Sequence, residues 1–302
     1  MTSVKNISII ILLISQFIFV SCGTKQTKKI NVFVSIEPQK FFVEKIGGEK
    51  VDVSIFVKSG LSPENFEPLP LQLMKLSKTD LYFAIGLQFE SRIINSIEST
   101  NTFLRIVNTG QNIKHRKSES HIGVLGSYDH NSNINDGHTH GLHDPHIWLS
   151  PTLVKQQAKT IMESLTELDS TNGEFYFNNY TIFTTEIDSV INIISNNLQN
   201  VANRNLLVFH PAWGYFCDEF NLSQIPIELE GKEPGIKDLS YVIDFINLNK
   251  SDYILAEKQN SSPTLKSIAE ELKIKIIKHD PLAEDYFKNL ILLSEIIKVN
   301  NL

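Results

Sequence analysis

Apolar and polar residues follow two alternating rhythms along this chain, short strand-length runs and longer segments of helical spacing. Ile30 to Ser35 and Val51 to Val57 predict strands around a helix from Glu37 to Ile46, which Gly47-Gly48 stops. Leu71 to Ser77 predicts a helix and Asp80 to Gly86 a nearly all-apolar strand of the buried parallel kind. Phe89 to Ser99 predicts a helix, and Phe103 to Val107 a further strand. The pattern then lapses from Ile113 to Asp144. Pro151 to Leu168 is helical again, and a long helix follows from Gly173 to about Val201, with Ile182, Ile187, Val190, Ile191, Ile194 and Leu198 along one side.

After the long helix the alternation resumes. Strands are predicted at Leu206 to Phe209, Ser223 to Leu229, Tyr253 to Ala256 and Ile274 to Lys278. Helices are predicted at Tyr215 to Phe220, Ile236 to Asn247, Pro263 to Leu272 and Tyr286 to Val299. Strands alternating with helices imply parallel sheets with crossover connections. The expected class is therefore α/β, two βα lobes with parallel sheets joined by one long rigid connecting helix. The lobes should span 30–170 and 202–302, with the connector at 171–201.

The N-terminus belongs to a different category. Lys5, the apolar run Ile7 to Val20 and Ser21-Cys22-Gly23 form a charged region, a hydrophobic region and a small-residue cleavage site. The run is too short for a comfortable membrane span, which needs ~20 apolar residues. We therefore expect a lipoprotein signal peptide over 1–21, lipidation of Cys22 and a polar tether over 22–29. Plain secretion or an uncleaved anchor is the alternative. A formal charge of −6 disfavours a nucleic-acid partner. With Cys22 lipidated only Cys217 remains, which removes internal disulfides and zinc sites built on two or four cysteines. Cys217 itself sits in an aromatic segment and reads as a small buried apolar residue. A metal would have to be held by His, Asp and Glu.

Four segments offer such donors beside prolines: Ser62 to Pro68, Asp144 to Leu149, Phe209 to Phe216 and His279 to Leu282. His146 lies between Pro145 and Ile147-Trp148, and His210 follows a predicted strand and precedes Pro211. Each falls where a strand meets the loop into a helix, the edge at which open α/β sheets bind ligands. Asp280 is a candidate ligand or a turn-forming Asp before Pro281. Glu64 is a candidate or a solvated loop acid, with Glu67 the alternative in the same loop. His279 should point away from Asp280 and be a bystander. The lapsed segment holds six of the nine histidines, at 115, 121, 130, 138, 140 and 143. In a flexible polar run, His130, His138, His140 and His143 suit loose capture of a divalent cation, against a reading as inert filler.

From about Ile30 to the C-terminus, the chain resembles the periplasmic zinc- and manganese-binding proteins of bacterial ABC importers. The resemblance is carried by the Pro63–Pro68 loop, Asp144-Pro145-His146-Ile147-Trp148-Leu149, Phe209-His210-Pro211-Ala212-Trp213-Gly214-Tyr215, Glu230 to Pro234 and Asp280-Pro281-Leu282. It implies one divalent ion between the lobes, held by His146, His210 and Asp280. Glu64 stands where that family usually has His, giving two imidazoles and two carboxylates. Zinc is the expected cargo, with Mn²⁺ or Fe²⁺ the alternatives that extra carboxylate would favour. The resemblance further implies a permease and its ATPase as partners; the lipid expected on Cys22 would keep the protein in the cell envelope near them, and a monomer is expected. Two rival classes stand beside it. His138-Thr139-His140 could serve a zinc hydrolase, but no His-Glu-x-x-His helix accompanies it. A metal-storage lipoprotein or adhesin with the same fold is the other.

Overall fold

The computed structural model describes residues 29–97, 103–117, 143–228, 236–249 and 251–301. The signal peptide, the Cys22 anchor and most of the tether lie outside the described residues, as do His121, His130, His138, His140 and Glu230 to Pro234.

The first lobe is a four-stranded sheet of β1 (Ile30–Ile36), β2 (Val51–Val57), β3 (Leu81–Ala84) and β4 (Arg105–Asn108), in the order β2-β1-β3-β4. The second repeats that order, β6-β5-β7-β8, with β5 (Asn205–Val208), β6 (Ser223–Pro226), β7 (Tyr253–Glu257) and β8 (Lys275–His279). Every strand pair is parallel. Parallel strands are covered on both faces, which is why β3 and β7 are buried throughout.

Several predicted boundaries moved. Phe103 is 93 % exposed and precedes β4, which starts at Arg105 rather than Phe103. Strand β6 ends at Pro226 rather than running to Leu229, although Ile227 and Glu228 still donate to the carbonyls of Val208 and Phe209. The short helix after β5 spans Gly214–Glu219 and the long one Gly173–Leu198.

The Gly173–Leu198 helix is about 39 Å long at ~1.5 Å per residue. It buries Tyr176, Phe183, Ile187, Val190, Ile194 and Leu198, a stripe at three- and four-residue spacing once past Tyr176. Phe183 meets Phe41 and Phe42 of the helix Glu37–Gly47 and also Phe287 of the closing helix Tyr286–Asn300. Tyr286 stacks edge-on against Phe42 with centroids 4.9 Å apart. The closing helix, placed in the second lobe by sequence order, thus packs against the first, and one apolar core runs through both lobes. Trp148 adds a tie by donating from Nε1 to the Pro281 carbonyl at 2.9 Å. These contacts brace the lobes against a wide hinge motion.

The carboxyl edge of the first sheet is also braced. Glu90 is buried beneath the turn after β3, where its carboxylate accepts from the N–H groups of Ile85, Gly86 and Leu87 and from Ser35 Oγ. Gly86 has φ +100°, a conformation that favours glycine. Burial outweighs those hydrogen bonds and pushes the Glu90 carboxyl up to about 6. Among the described residues no helix is long and apolar enough to cross a membrane, and Cys217 is buried.

Candidate metal centre

The strand β5 delivers His210. Val208 and Leu206 face the core shared with the first lobe, whereas Leu207 and Phe209 face the other side of the sheet. Period-two alternation therefore aims His210 at the first lobe. The backbone stays in ladder geometry past the strand end, with Phe209 N–H donating to the Leu255 carbonyl and Glu228 N–H to the Phe209 carbonyl, both at 2.8 Å. His146 comes from the opposite lobe, immediately before the turn Ile147–Leu149 that leads into the helix Pro151–Leu168. The two imidazoles face each other across the cleft with centroids 5.4 Å apart. Glu64 reaches in from the loop after β2 and brings Oε1 to 3.0 Å from His210 Nε2.

One donor atom from each of Glu64, His146 and His210 lies within 4.8 Å of the others, close enough to share an ion. Both imidazoles are buried, while the Glu64 side chain is 37 % exposed at the mouth. Each ring is oriented through its other nitrogen. Asp144 Oδ1 accepts from His146 Nδ1 at 2.8 Å and from the His146 N–H at 2.9 Å. Glu228 Oε2 sits 3.0 Å from His210 Nδ1. A carboxylate on Nδ1 fixes the tautomer and leaves Nε2 as the metal-facing atom, and it makes the ring a stronger donor.

Asp144 is itself held. Its Oδ2 accepts from Arg116 Nη1 at 3.1 Å, and Arg116 also engages Asp218 at 3.0 Å. Tyr215 donates to the Asp144 carbonyl at 2.9 Å and accepts from the Arg116 N–H at 3.0 Å. Gly214 leaves the space that the Arg116 guanidinium occupies, since a Cβ there would come within 1.4 Å of Arg116 Nη1 and 2.9 Å of Asp144 Oδ2.

The electrostatics follow from the pairing. Burial works against a charged His210, but hydrogen bonds with Glu228 and Glu64, together with nearby carboxylate charges, hold its pKa well above the ordinary value. Burial likewise opposes the Glu64 carboxylate, yet the His210 partner keeps its pKa below the usual range. Asp144 is also lowered, burial being outweighed by the charge and hydrogen bonds of His146 and by Arg116. Glu257 behaves differently. Burial pushes its carboxyl up against the pull of His210 and His146, with Glu64 and Glu228 adding to the rise.

Three of the four sequence-predicted residues thus come together, and Asp280 does not join them. Its Oδ2 accepts from Ser59 Oγ of the first lobe at 2.5 Å and its Oδ1 from the Leu282 N–H at 2.8 Å. Both loop acids are exposed, but Glu64 is the one that reaches His210 and belongs to the donor cluster. His279 is a buried bystander, contacting Trp213 Nε1 at 3.2 Å and the Asn289 carbonyl at 3.1 Å. At the base of the His-rich segment, His143 is exposed and bridges to Lys117, with its ring 5.9 Å from that of His115. Sequence reasoning passed over Asp144, Glu228 and Glu257 as functional groups. The usable signal for the last two was an acid at the carboxyl end of a predicted strand on the second lobe.

The family model described as "Zinc-uptake complex component A periplasmic" matches residues 32–298. The chain belongs to this family. Its members are the zinc-binding components of ABC importers, and the two-lobed fold fits them. A putative metal-binding protein of Chlamydia muridarum is 28 % identical over 287 residues, covering 95 % of this chain and 97 % of the relative. The high-affinity zinc uptake system protein ZnuA of Bacillus subtilis is 23 % identical, covering 84 % and 82 %. A crystal structure of ZnuA aligns with TM-score 0.81 and 36 % identity over 91 % of this chain and all of that one.

Proposed function

We propose that this chain captures one divalent cation outside the cytoplasm, zinc before other metals, and delivers it to the permease of an ABC importer driven by a cytoplasmic ATPase. The observation that carries this reading is the pair of opposed imidazoles, one from each lobe, each with a carboxylate on Nδ1 and with Glu64 between them. Buried nitrogen and oxygen donors with their outer partners in place suit zinc, which binds His nitrogen at ~2.0–2.1 Å and carboxylate oxygen at ~2.0–2.2 Å. Glu64, His146 and His210 receive the ion, and Asp280 joins as a further donor once Ser59 releases it. Capture exchanges the Nε2 proton of His210 for the metal and sheds the ion's waters. Carriage makes and breaks no covalent bond, so the reading is of a transport protein and not of an enzyme. A lipid on Cys22 would hold the protein, as a monomer, at the membrane face from which the permease draws. His130, His138, His140 and His143 would concentrate ions near the cleft without fixed geometry.

Manganese or iron is the second reading, favoured by the carboxylate of Glu64 in the site. Chelator competition on the metal-stripped protein decides between them. The expected result is one tight zinc site with manganese far weaker, abolished in His210→Ala. Equal or tighter manganese binding would move the cargo to manganese or iron, and no tight site would leave storage or adhesion.

A further inference from the structure

The second sheet changes strand direction of travel between β5 and β7, since β6 lies outside β5 on one side and β8 beyond β7 on the other. In open α/β sheets the crevice at this switch, outside the carboxyl ends of the strands, is where ligands sit. His210 follows β5, and Glu257 ends β7.

The register puts them side by side. Val208 pairs with Leu255, and continuing two residues along both parallel strands sets His210 level with Glu257. Val208 also pairs with Pro226, which sets Glu228 level with His210 on its other flank. Glu257 pairs with His279 across β8. Leu255 faces the core shared with the first lobe, as Val208 does, so alternation sends Glu257 to the same face as His210. The edge thus carries a row of Glu228, His210, Glu257 and His279.

Three members of that row have partners. Glu228 holds His210 Nδ1, His210 meets Glu64, and His279 contacts Trp213 and Asn289. Glu257 is 8 % exposed, its carboxylate has no hydrogen bond or ion pair among the described residues, and the nearby cation is Lys278, whose Nζ donates to the Glu257 backbone carbonyl at 3.2 Å. Buried carboxylates without a partner are costly and rare. This one lies within electrostatic reach of His210, His146 and Glu64. Asp280, in contrast, has a hydrogen bond on each oxygen.

We propose that Glu257 faces the captured ion and supplies it with a carboxylate oxygen, making it a metal-contacting residue that also broadens the range of metals accepted. The inference rests on the reading that Glu64, His146 and His210 hold the ion, and it adds a carboxylate from the His210 lobe that stands outside the 4.8 Å cluster of those three and reaches the ion by turning its own side chain. An extra oxygen lets the shell expand beyond four, which matters little to zinc and more to manganese, an ion suited to oxygen-rich sites.

Cobalt(II) is the probe, because the intensity of its visible d–d bands reports coordination number. The purified protein, Glu257→Gln, Glu257→Asp and His210→Ala are loaded with cobalt, and zinc and manganese affinities are measured in parallel. Melting curves establish that each variant is folded, and Glu257→Asp, which withdraws the oxygen by one methylene, serves if the Gln variant is not. The expected result is a changed cobalt spectrum, with manganese affinity lowered about tenfold and zinc affinity lowered less. A spectrum identical to wild type in both variants, whatever happens to affinity, would overturn coordination by Glu257 while leaving the three-residue site standing. A cobalt spectrum that survives His210→Ala would overturn that underlying reading, and the proposal with it.

Discussion

Replacing Asp144 should weaken metal binding although Asp144 need not touch the ion. Its Oδ1 accepts two hydrogen bonds from His146, at 2.8 Å from Nδ1 and 2.9 Å from the backbone, and its Oδ2 pairs with Arg116 at 3.1 Å. With Asp144→Ala the His146 ring loses the group that fixes its tautomer and angle, and Nε2 is no longer held toward Glu64 and His210. Loss of such an outer partner typically costs 10–100-fold in affinity, which is about 1.4–2.7 kcal/mol. Asp144→Asn keeps an acceptor oxygen for Nδ1 but turns an amide toward Arg116, so its loss should lie near the lower end, about tenfold. Stability is affected separately. Arg116 keeps Asp218 but loses its buried partner, which should cost about 1.5–3 kcal/mol in the metal-free protein. Zinc competition against a fluorescent chelator at fixed pH gives the first quantity, and a metal-free melt the second. Wild-type affinity in folded Asp144→Ala would refute the claim that the Asp144–His146 pair builds the site.

Three more outcomes follow from the same geometry. The His210 pKa is raised, so its metal-free ring is protonated near neutrality and zinc must displace that proton. Affinity should therefore climb by up to about tenfold per pH unit from pH ~6 to 8, with proton release on binding seen by calorimetry in buffers of different ionisation enthalpy. A flat profile would contradict the pairing. The same group's contribution to metal-free stability runs the other way. Because its folded pKa lies above the unfolded one, that contribution is complete below about 6.5 and fades as pH rises through the folded value. Gly214→Ala should push the Arg116 guanidinium from its place and lower both melting temperature and zinc affinity; an unchanged melt would contradict the close approach. Ser59→Ala frees the Asp280 carboxylate, and with ~1 kcal/mol of competing hydrogen bond removed zinc should bind about fivefold tighter in the same competition assay. Weaker binding would instead make the Ser59–Asp280 bond a support of the site.

Much of the fold could be read from the chain because parallel βα units write two periods into the sequence. The runs Ile30 to Ser35 and Asp80 to Gly86 could hardly be anything but buried strands, and the stripe from Ile187 to Leu198 predicts the connector. The boundary error at Phe103 comes from an apolar residue that extends the strand pattern upstream of the ladder, which begins at Arg105. His146 and His210 were visible because prolines and strand ends mark the places where a rigid backbone aims a side chain. Glu228 and Glu257 also stand at strand ends, but what sets them beside His210 is register. Only the pairing of Val208 with both Pro226 and Leu255 sets two acids level with one imidazole. Asp280 shows the converse. Its Asp-Pro-Leu setting reads as a ligand, yet nothing in the sequence pattern announces its hydrogen bond to a serine 221 positions earlier in the chain, on the other lobe.

X-ray absorption at the zinc edge of the stoichiometrically loaded protein tests the central claim most directly. One zinc per chain with two imidazoles and the remaining donors oxygen is the predicted result. A sulfur donor, or a shell with no more than one imidazole, would contradict a site built between the lobes from His146 and His210.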